Sequence, residues 1–122
     1  MKSILTLVFC IFVVCSSVTA KETTYNKTNF NKALSEGKIV IVSSWIKYCT
    51  SCASQMKVLK KVVNEFDNIE YFTFDVTIKE IAKSFNIQYQ TTLLIFKNGE
   101  EVYRSIGETS KDLIYRAIQS SI

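Results

Sequence analysis

The sequence contains no histidine, no proline and only three glycines. Without histidine there is no imidazole to activate a serine or cysteine nucleophile, and none to ligate a metal. The 15 basic residues are dispersed among 11 acidic ones, for a formal charge of +4 with no basic block, so nothing points to nucleic acid. Long apolar runs are scarce too. The longest of note, Ile4 to Val14, falls short of the roughly 20 residues of an ordinary membrane-spanning helix. There is no internal repeat and no low-complexity stretch.

The chain starts with the features of an export leader. Lys2 gives a positive start, Ile4 to Val14 an apolar centre, and Val18-Thr19-Ala20 a small-residue cleavage site. Residues 1–20 are therefore expected to be a signal peptide cleaved after Ala20, the other reading being an uncleaved anchor. Residues 21–122 form one domain, 102 residues once the 20-residue leader is taken from 122, with no stable membrane span. Loss of Lys2 lowers the formal charge to +3, and loss of Cys10 and Cys15 leaves Cys49 and Cys52 as the remaining thiols. The expected location is the periplasm or the outside of a cell, where disulfides persist. A bridge between such near neighbours closes a very small loop and constrains the unfolded chain little, so this spacing serves structure poorly.

What the sequence does have is the stretch Trp45-Ile46-Lys47-Tyr48-Cys49-Thr50-Ser51-Cys52. It follows the β-branched run Ile39 to Val42, as expected of a strand buried on both faces. It precedes Ala53 to Phe66, where Met56, Leu59, Val63 and Phe66 recur at helical spacing. The cysteines thus sit where a strand ends and a helix begins. Unpaired N–H groups and a partial positive charge at a helix start favour a thiolate there. With C-x-x-C spacing, Cys49 faces outward and Cys52 lies a turn further in, within reach of a disulfide.

The remaining elements follow from local signals. Lys21 to Lys27 is polar and expected to be loose; within it Asn26-Lys27-Thr28 is a glycosylation sequon, relevant to a eukaryotic secretory host. Thr28 is expected to cap a short helix carrying Phe30, Ala33 and Leu34, ended by Gly37. Ile69 to Val76 reads as a strand, Lys79 to Phe85 as a short helix and Gln88 to Thr91 as a loop. Thr92 to Phe96 and Val102 to Ser105 read as a hairpin across Asn98-Gly99. Thr109 or Ser110 caps a last helix with Leu113, Ile114, Ala117 and Ile118 inward. The alternation implies an α/β fold of parallel strands joined by crossover helices, ending in an antiparallel hairpin.

This order, with the cysteines at the strand-to-helix junction, resembles the thioredoxin family over about Phe30 to Ile118. The residues from Trp45 to Cys52 are similar to the family's W-x-x-[WY]-C-x-x-C. Thr92-Leu93-Leu94-Ile95-Phe96-Lys97-Asn98-Gly99 is similar to its P-T-L-L-x-F-K-N-G, and Gly107 with Ser110-Lys111 to its G-x-x-S-K. The resemblance implies a thioredoxin-like fold, with a central mixed sheet of about four or five strands flanked by helices. It implies that Cys49 is the nucleophile attacking a substrate disulfide and Cys52 the residue resolving the mixed disulfide. Trp45 and Tyr48 would flank the site, Trp45 having an equal reading as a core anchor. Gln90 would inherit backbone pairing with a substrate chain.

Three departures stand out. Ser43 occupies the place of a buried aspartate that accepts the proton of the second cysteine, and a hydroxyl is a poor base near neutral pH. Resolution by Cys52 is then expected to be slow or water-assisted. Thr91 occupies the place of a cis-proline. A non-proline cis bond costs about 2.5–4 kcal/mol, so Gln90–Thr91 is expected to be trans. The Thr50-Ser51 pair between the cysteines matches no common family dipeptide and sets no direction of electron flow. Lys47 has two readings, as a stabiliser of the Cys49 thiolate and as a solvated lysine pointing away.

The expectation is an exported thiol–disulfide oxidoreductase acting on protein thiols and disulfides, exchanging electrons with a partner redox protein. It needs no cofactor beyond the Cys49–Cys52 disulfide. One alternative is a metal-binding or metal-delivery protein, in which the two thiolates, unshielded by proline, take a soft ion with help from outside ligands. Another is a non-catalytic interaction module with idle cysteines.

Overall fold

The computed structural model describes Glu22 to Ile122; the expected leader and its cleavage point lie outside the described residues. The elements are β1 (Glu22–Thr24), α1 (Lys27–Ser35), β2 (Ile39–Trp45), α2 (Thr50–Val63), β3 (Ile69–Asp75), α3 (Lys79–Ser84), β4 (Thr92–Lys97), β5 (Glu100–Ile106) and α4 (Lys111–Ser121). The five strands form one mixed sheet in the order β1-β3-β2-β4-β5. Strands β1, β3 and β2 run parallel, while β4 is antiparallel to β2 and β5 to β4. This is the expected thioredoxin-like fold.

Alternation along the central strands divides the core into two layers. Ile39, Ile41, Tyr71, Leu93 and Ile95 face α2 and α4, where Leu59, Val62, Ile114 and Ile118 are fully buried against them. Val40, Val42, Phe72, Leu94 and Phe96 face the other way, toward Phe30 and Ala33 of α1 and Ala82 and Phe85 at α3. Phe30 and Phe85 meet nearly edge to face at 5.3 Å, a favoured aromatic geometry. Because β2 is covered on both faces, its run of β-branched residues needs no polar alternation.

Several boundaries differ from the sequence-based expectation. The segment expected to be loose contributes β1, paired in parallel with the edge of β3. No apolar pattern marks Glu22-Thr23-Thr24. Backbone pairing and tertiary contacts hold it: Glu22 pairs with Lys60 Nζ at 2.7 Å and accepts from the Thr73 hydroxyl at 3.3 Å. Helix α1 is capped by Asn26 rather than Thr28, its Oδ1 accepting the Asn29 N–H at 3.1 Å. Helix α2 starts at Thr50, three residues before the apolar periodicity becomes visible, and β2 continues through Ser43 and Ser44 to Trp45. Leu113, expected inward on α4, is half-exposed.

The hairpin follows its signal. Asn98 and Gly99 both have positive φ, 52° and 78°, the conformation of a type I′ turn that fits the twist of paired strands. Beyond it, the Arg104 guanidinium donates to the carbonyls of Phe85 and Asn86 at 2.7 and 3.0 Å. That ties β5 to the end of α3 and fixes the chain entering the loop before β4.

Leu59 is fully buried where α2 crosses the sheet. Leu59→Ala is expected to lower the unfolding free energy by about 2–5 kcal/mol, checked by urea denaturation; a loss below about 1 kcal/mol would contradict this placement.

Candidate active site

Strand β2 ends at Trp45 and the chain turns through Ile46 to Tyr48 into α2. Tyr48 takes a left-handed backbone, φ 62°, uncommon for a bulky residue, and its side chain is fully exposed. Cys49 is the N-cap of α2 and Cys52 lies in the first turn; the two are joined in a disulfide with their Cα atoms 5.3 Å apart. Cys49 Sγ accepts the Cys52 N–H at 3.2 Å, as a capping oxygen would. Cys49 is partly exposed while Cys52 is 2% exposed. A thiolate formed at Cys49 would keep this N–H and lie at the positive end of the helix.

The loop before β4 crosses over the sulfurs. Thr91 is buried, its peptide bond is trans, and its φ is 59°. A β-branched residue in this region costs about 1–3 kcal/mol and persists only where its surroundings determine it. Here they do. The Thr91 N–H donates to the Ser44 carbonyl at 2.9 Å, and its carbonyl accepts from the Gly107 N–H at 2.9 Å and Gln55 Nε2 at 3.2 Å. Ser44 fixes the flanks: its hydroxyl donates to the Tyr89 carbonyl at 3.0 Å and accepts the Thr92 N–H at 3.1 Å.

Held this way, Thr91 Oγ1 lies 3.1 Å from Cys52 Sγ, 3.6 Å from Cys49 Sγ and 2.9 Å from Ser51 Oγ. Ser51 Oγ is itself 3.4 Å from Cys49 Sγ. Where a proline would present only carbon, a hydroxyl touches both sulfurs. Gln90, just before it, is exposed, and neither its N–H nor its carbonyl has a partner among the described residues.

Ser43 is fully buried, its Oγ 2.9 Å from the Tyr71 hydroxyl. Burial pushes the Tyr71 phenol well above its ordinary value, so the pair is neutral. Lys47 is exposed, and its charge acts on Asp75. The Asp75 carboxyl is held below its ordinary value by the Thr77 N–H, then the Thr77 hydroxyl, and by Lys47. No bond joins Lys47 to either sulfur of the disulfide.

Trp45, half-buried, and Tyr48 line one open groove with both cysteines, of about 1050 Å³. Met56, Phe74 and Ile78 add apolar surface, and Glu22, Lys57, Lys60 and Asp75 add charge. Gln90 and Thr91 are not part of that groove, although Thr91 Oγ1 touches both sulfurs. Among the described residues no three His, Cys, Asp or Glu side chains gather as a metal site, so the two sulfurs would need ligands from outside the chain to complete a tetrahedral ion. No helix among them is long and apolar enough to cross a membrane.

Gln55 and the hydroxyl of Ser51 did not figure in the sequence-based site. Gln55 carried one signal: it falls on the buried face of α2 between Cys52 and Leu59, a polar residue in an apolar stripe. It is fully buried, and Nε2 donates to the carbonyls of Thr91 and Glu108 at 3.2 and 2.9 Å. Two carbonyl partners fix the orientation of the amide.

Comparison with known proteins agrees with this geometry. The family model described as Thioredoxin matches residues 21–120. Thioredoxin-2 of Pyricularia oryzae is 33% identical over 95 residues, covering 75% of this chain and 56% of that protein. The chain thus spans little more than half of that relative. Thioredoxin-1 of Saccharomyces cerevisiae is 26% identical over 81 residues, covering 66% of this chain and 79% of the relative. The crystal structure of Trxlp from Edwardsiella tarda superposes with a TM-score of 0.76 at 27% identity, over 80% of this chain and 97% of that one.

Gln55→Leu keeps the volume and removes both donated hydrogen bonds. It is expected to destabilise the fold by about 1–3 kcal/mol and to speed amide exchange at Thr91 and Gly107. Urea melts and hydrogen exchange check this, and unchanged protection of Gly107 would contradict it.

Proposed function

The chain belongs to the thioredoxin family, and from that premise we propose that it is an exported thiol–disulfide oxidoreductase working on cysteines of other proteins. The observation that carries the reading is the Cys49–Cys52 disulfide at the start of α2, with one sulfur partly exposed and the other buried behind it.

In the reducing direction, the Cys49 thiolate attacks a substrate disulfide and forms a mixed disulfide. Cys52 then attacks Cys49 Sγ, closes the internal disulfide and releases the substrate as a thiol. In the oxidising direction the same steps run backwards. A partner redox protein supplies or removes the electrons, and the disulfide is the only redox group the exchange needs. The substrate lies along the groove at Trp45 and Tyr48, while the free backbone of Gln90, next to Thr91, pairs with its chain. Thr91 closes the site between them. The proposed export, to the periplasm or the cell exterior, rests on Lys2, the apolar run Ile4 to Val14 and the small residues Val18 to Ala20.

Two outcomes are expected. Cys49→Ser abolishes reduction of a disulfide-bonded protein substrate, whereas Cys52→Ser accumulates a covalent adduct at Cys49 visible by intact mass; full activity of Cys49→Ser would end the exchange reading. In cells, the protein is recovered outside the cytoplasm with its N-terminus at Lys21, and an intact Met1 terminus in the cytoplasm would end the export reading.

A further inference from the structure

The resolving step poses a proton problem. Cys52 must lose its thiol proton as it attacks Cys49 Sγ, yet Cys52 is 2% exposed. Ser43 and Tyr71 offer no base, since their hydroxyls are buried and bound to each other at 2.9 Å. Among the described residues no carboxylate is hydrogen-bonded to either sulfur, and those nearest the site hold other partners. Glu22 is paired with Lys60 at 2.7 Å, and Asp75 accepts from the Thr77 N–H and hydroxyl at 2.9 and 2.7 Å. Glu108 accepts the Ser110 N–H at 2.8 Å. Lys57 and Lys60, which share the groove, carry no acceptor, and neither tyrosine of the groove, Tyr25 or Tyr48, bonds to a sulfur.

Two hydroxyls remain, and they are in line. Thr91 Oγ1 is 3.1 Å from Cys52 Sγ and 2.9 Å from Ser51 Oγ, and Ser51 is exposed. We infer that the Thr91 and Ser51 hydroxyls form a proton relay that carries the Cys52 thiol proton from the buried sulfur to solvent during resolution. This assignment rests on the exchange chemistry proposed above.

The step balances as follows. The Cys52 sulfur forms a bond to Cys49 Sγ, and the bond from Cys49 Sγ to the substrate sulfur breaks, its electron pair leaving with the substrate. The Cys52 proton passes to Thr91 Oγ1, the Thr91 proton to Ser51 Oγ, and the Ser51 proton to water. The substrate thiolate takes a proton from water. Cys52 is oxidised and the substrate sulfur reduced, with no outside oxidant or reductant. Hydroxyls suit this role because each donates and accepts at once, so neither has to become a free base. The residue standing in the family's proline position thus performs the task left open by the serine in its aspartate position.

The test uses the reduced full chain and an aromatic disulfide whose released thiolate absorbs visible light. Stopped-flow absorbance then shows two phases, attack by Cys49 and resolution by Cys52. Thr91→Val keeps the branched shape and loses the hydroxyl. Ser51→Ala breaks the relay at an exposed position where folding is not at issue. Both are expected to slow the second phase at neutral pH by about tenfold or more, the scale of one hydrogen bond to a charged group. Thr91→Ser, which keeps the hydroxyl, restores it. The deficit closes at alkaline pH, where Cys52 ionises without help and no proton is left to move. A second phase within about twofold of wild type for both Thr91→Val and Ser51→Ala at neutral pH overturns the relay, as does a deficit of equal size at every pH, which marks a structural role. Absence of the first phase in the wild type ends the exchange reading itself, and the relay with it.

Discussion

The bond from the Thr91 N–H to the Ser44 carbonyl joins the end of β2 to the start of β4, and the site depends on it. The regular ladder between these strands ends at Ser43 and Leu93; past that pair β2 runs on toward the cysteines, and the chain ahead of β4 is its loop. Ser44 carries the contact past the ladder with its carbonyl and its hydroxyl. The disulfide therefore lies between two segments fixed to each other by the sheet rather than by the disulfide. A small bridge that constrains the unfolded chain little is then free to open and close while the frame around it stays put.

The same frame sustains an unfavourable backbone. A threonine with positive φ is kept because all its polar groups are used: the N–H by Ser44, the carbonyl by Gly107 and Gln55, the hydroxyl by Ser51 and the sulfurs. Gln55 also holds the Glu108 carbonyl, so one amide on α2 ties together the loop before β4 and the turn leading to α4. Buried hydrogen bonds strengthen one another, and here those of Thr91 converge on the atoms that meet the cysteines, while Gln55 Oε1 is left without a partner.

Much of this was legible beforehand. The β-branched run of β2, the helical spacing of α2 and α4, and Asn98-Gly99 each carry a local physical signal, and their order implied the sheet. The cysteines were visible because a strand-to-helix junction gives a thiol a reason to ionise. What escaped notice was held by tertiary contact. Strand β1 has no apolar alternation and exists through its ladder to β3 and the Glu22–Lys60 pair. The start of α2 is masked because Thr50 and Ser51 have no apolar periodicity, the turn being capped by a sulfur instead. The function of Gln55, and of the hydroxyls on Ser51 and Thr91, follows from residues about 40 positions apart meeting, as in the bonds of Ser51 and Gln55 to Thr91, and no window along the chain contains both ends.

The neutral Ser43–Tyr71 pair belongs to a wider pattern. The buried polar side chains among the described residues are Ser43, Ser44, Gln55, Thr73, Thr91, Thr92 and Ser121, joined by the Tyr71 phenol, with no carboxylate or ammonium among them. A buried carboxylate would hold its proton more tightly folded than unfolded, and its contribution to stability would fade as pH rose through that folded value. This interior has no such group. Tyr71, whose proton is held more tightly in the fold, contributes in full below the ordinary phenol value of about 10 and fades only as pH climbs beyond it. The described interior is thus insensitive to acidity below that phenol value, and the response to pH falls to the surface charges.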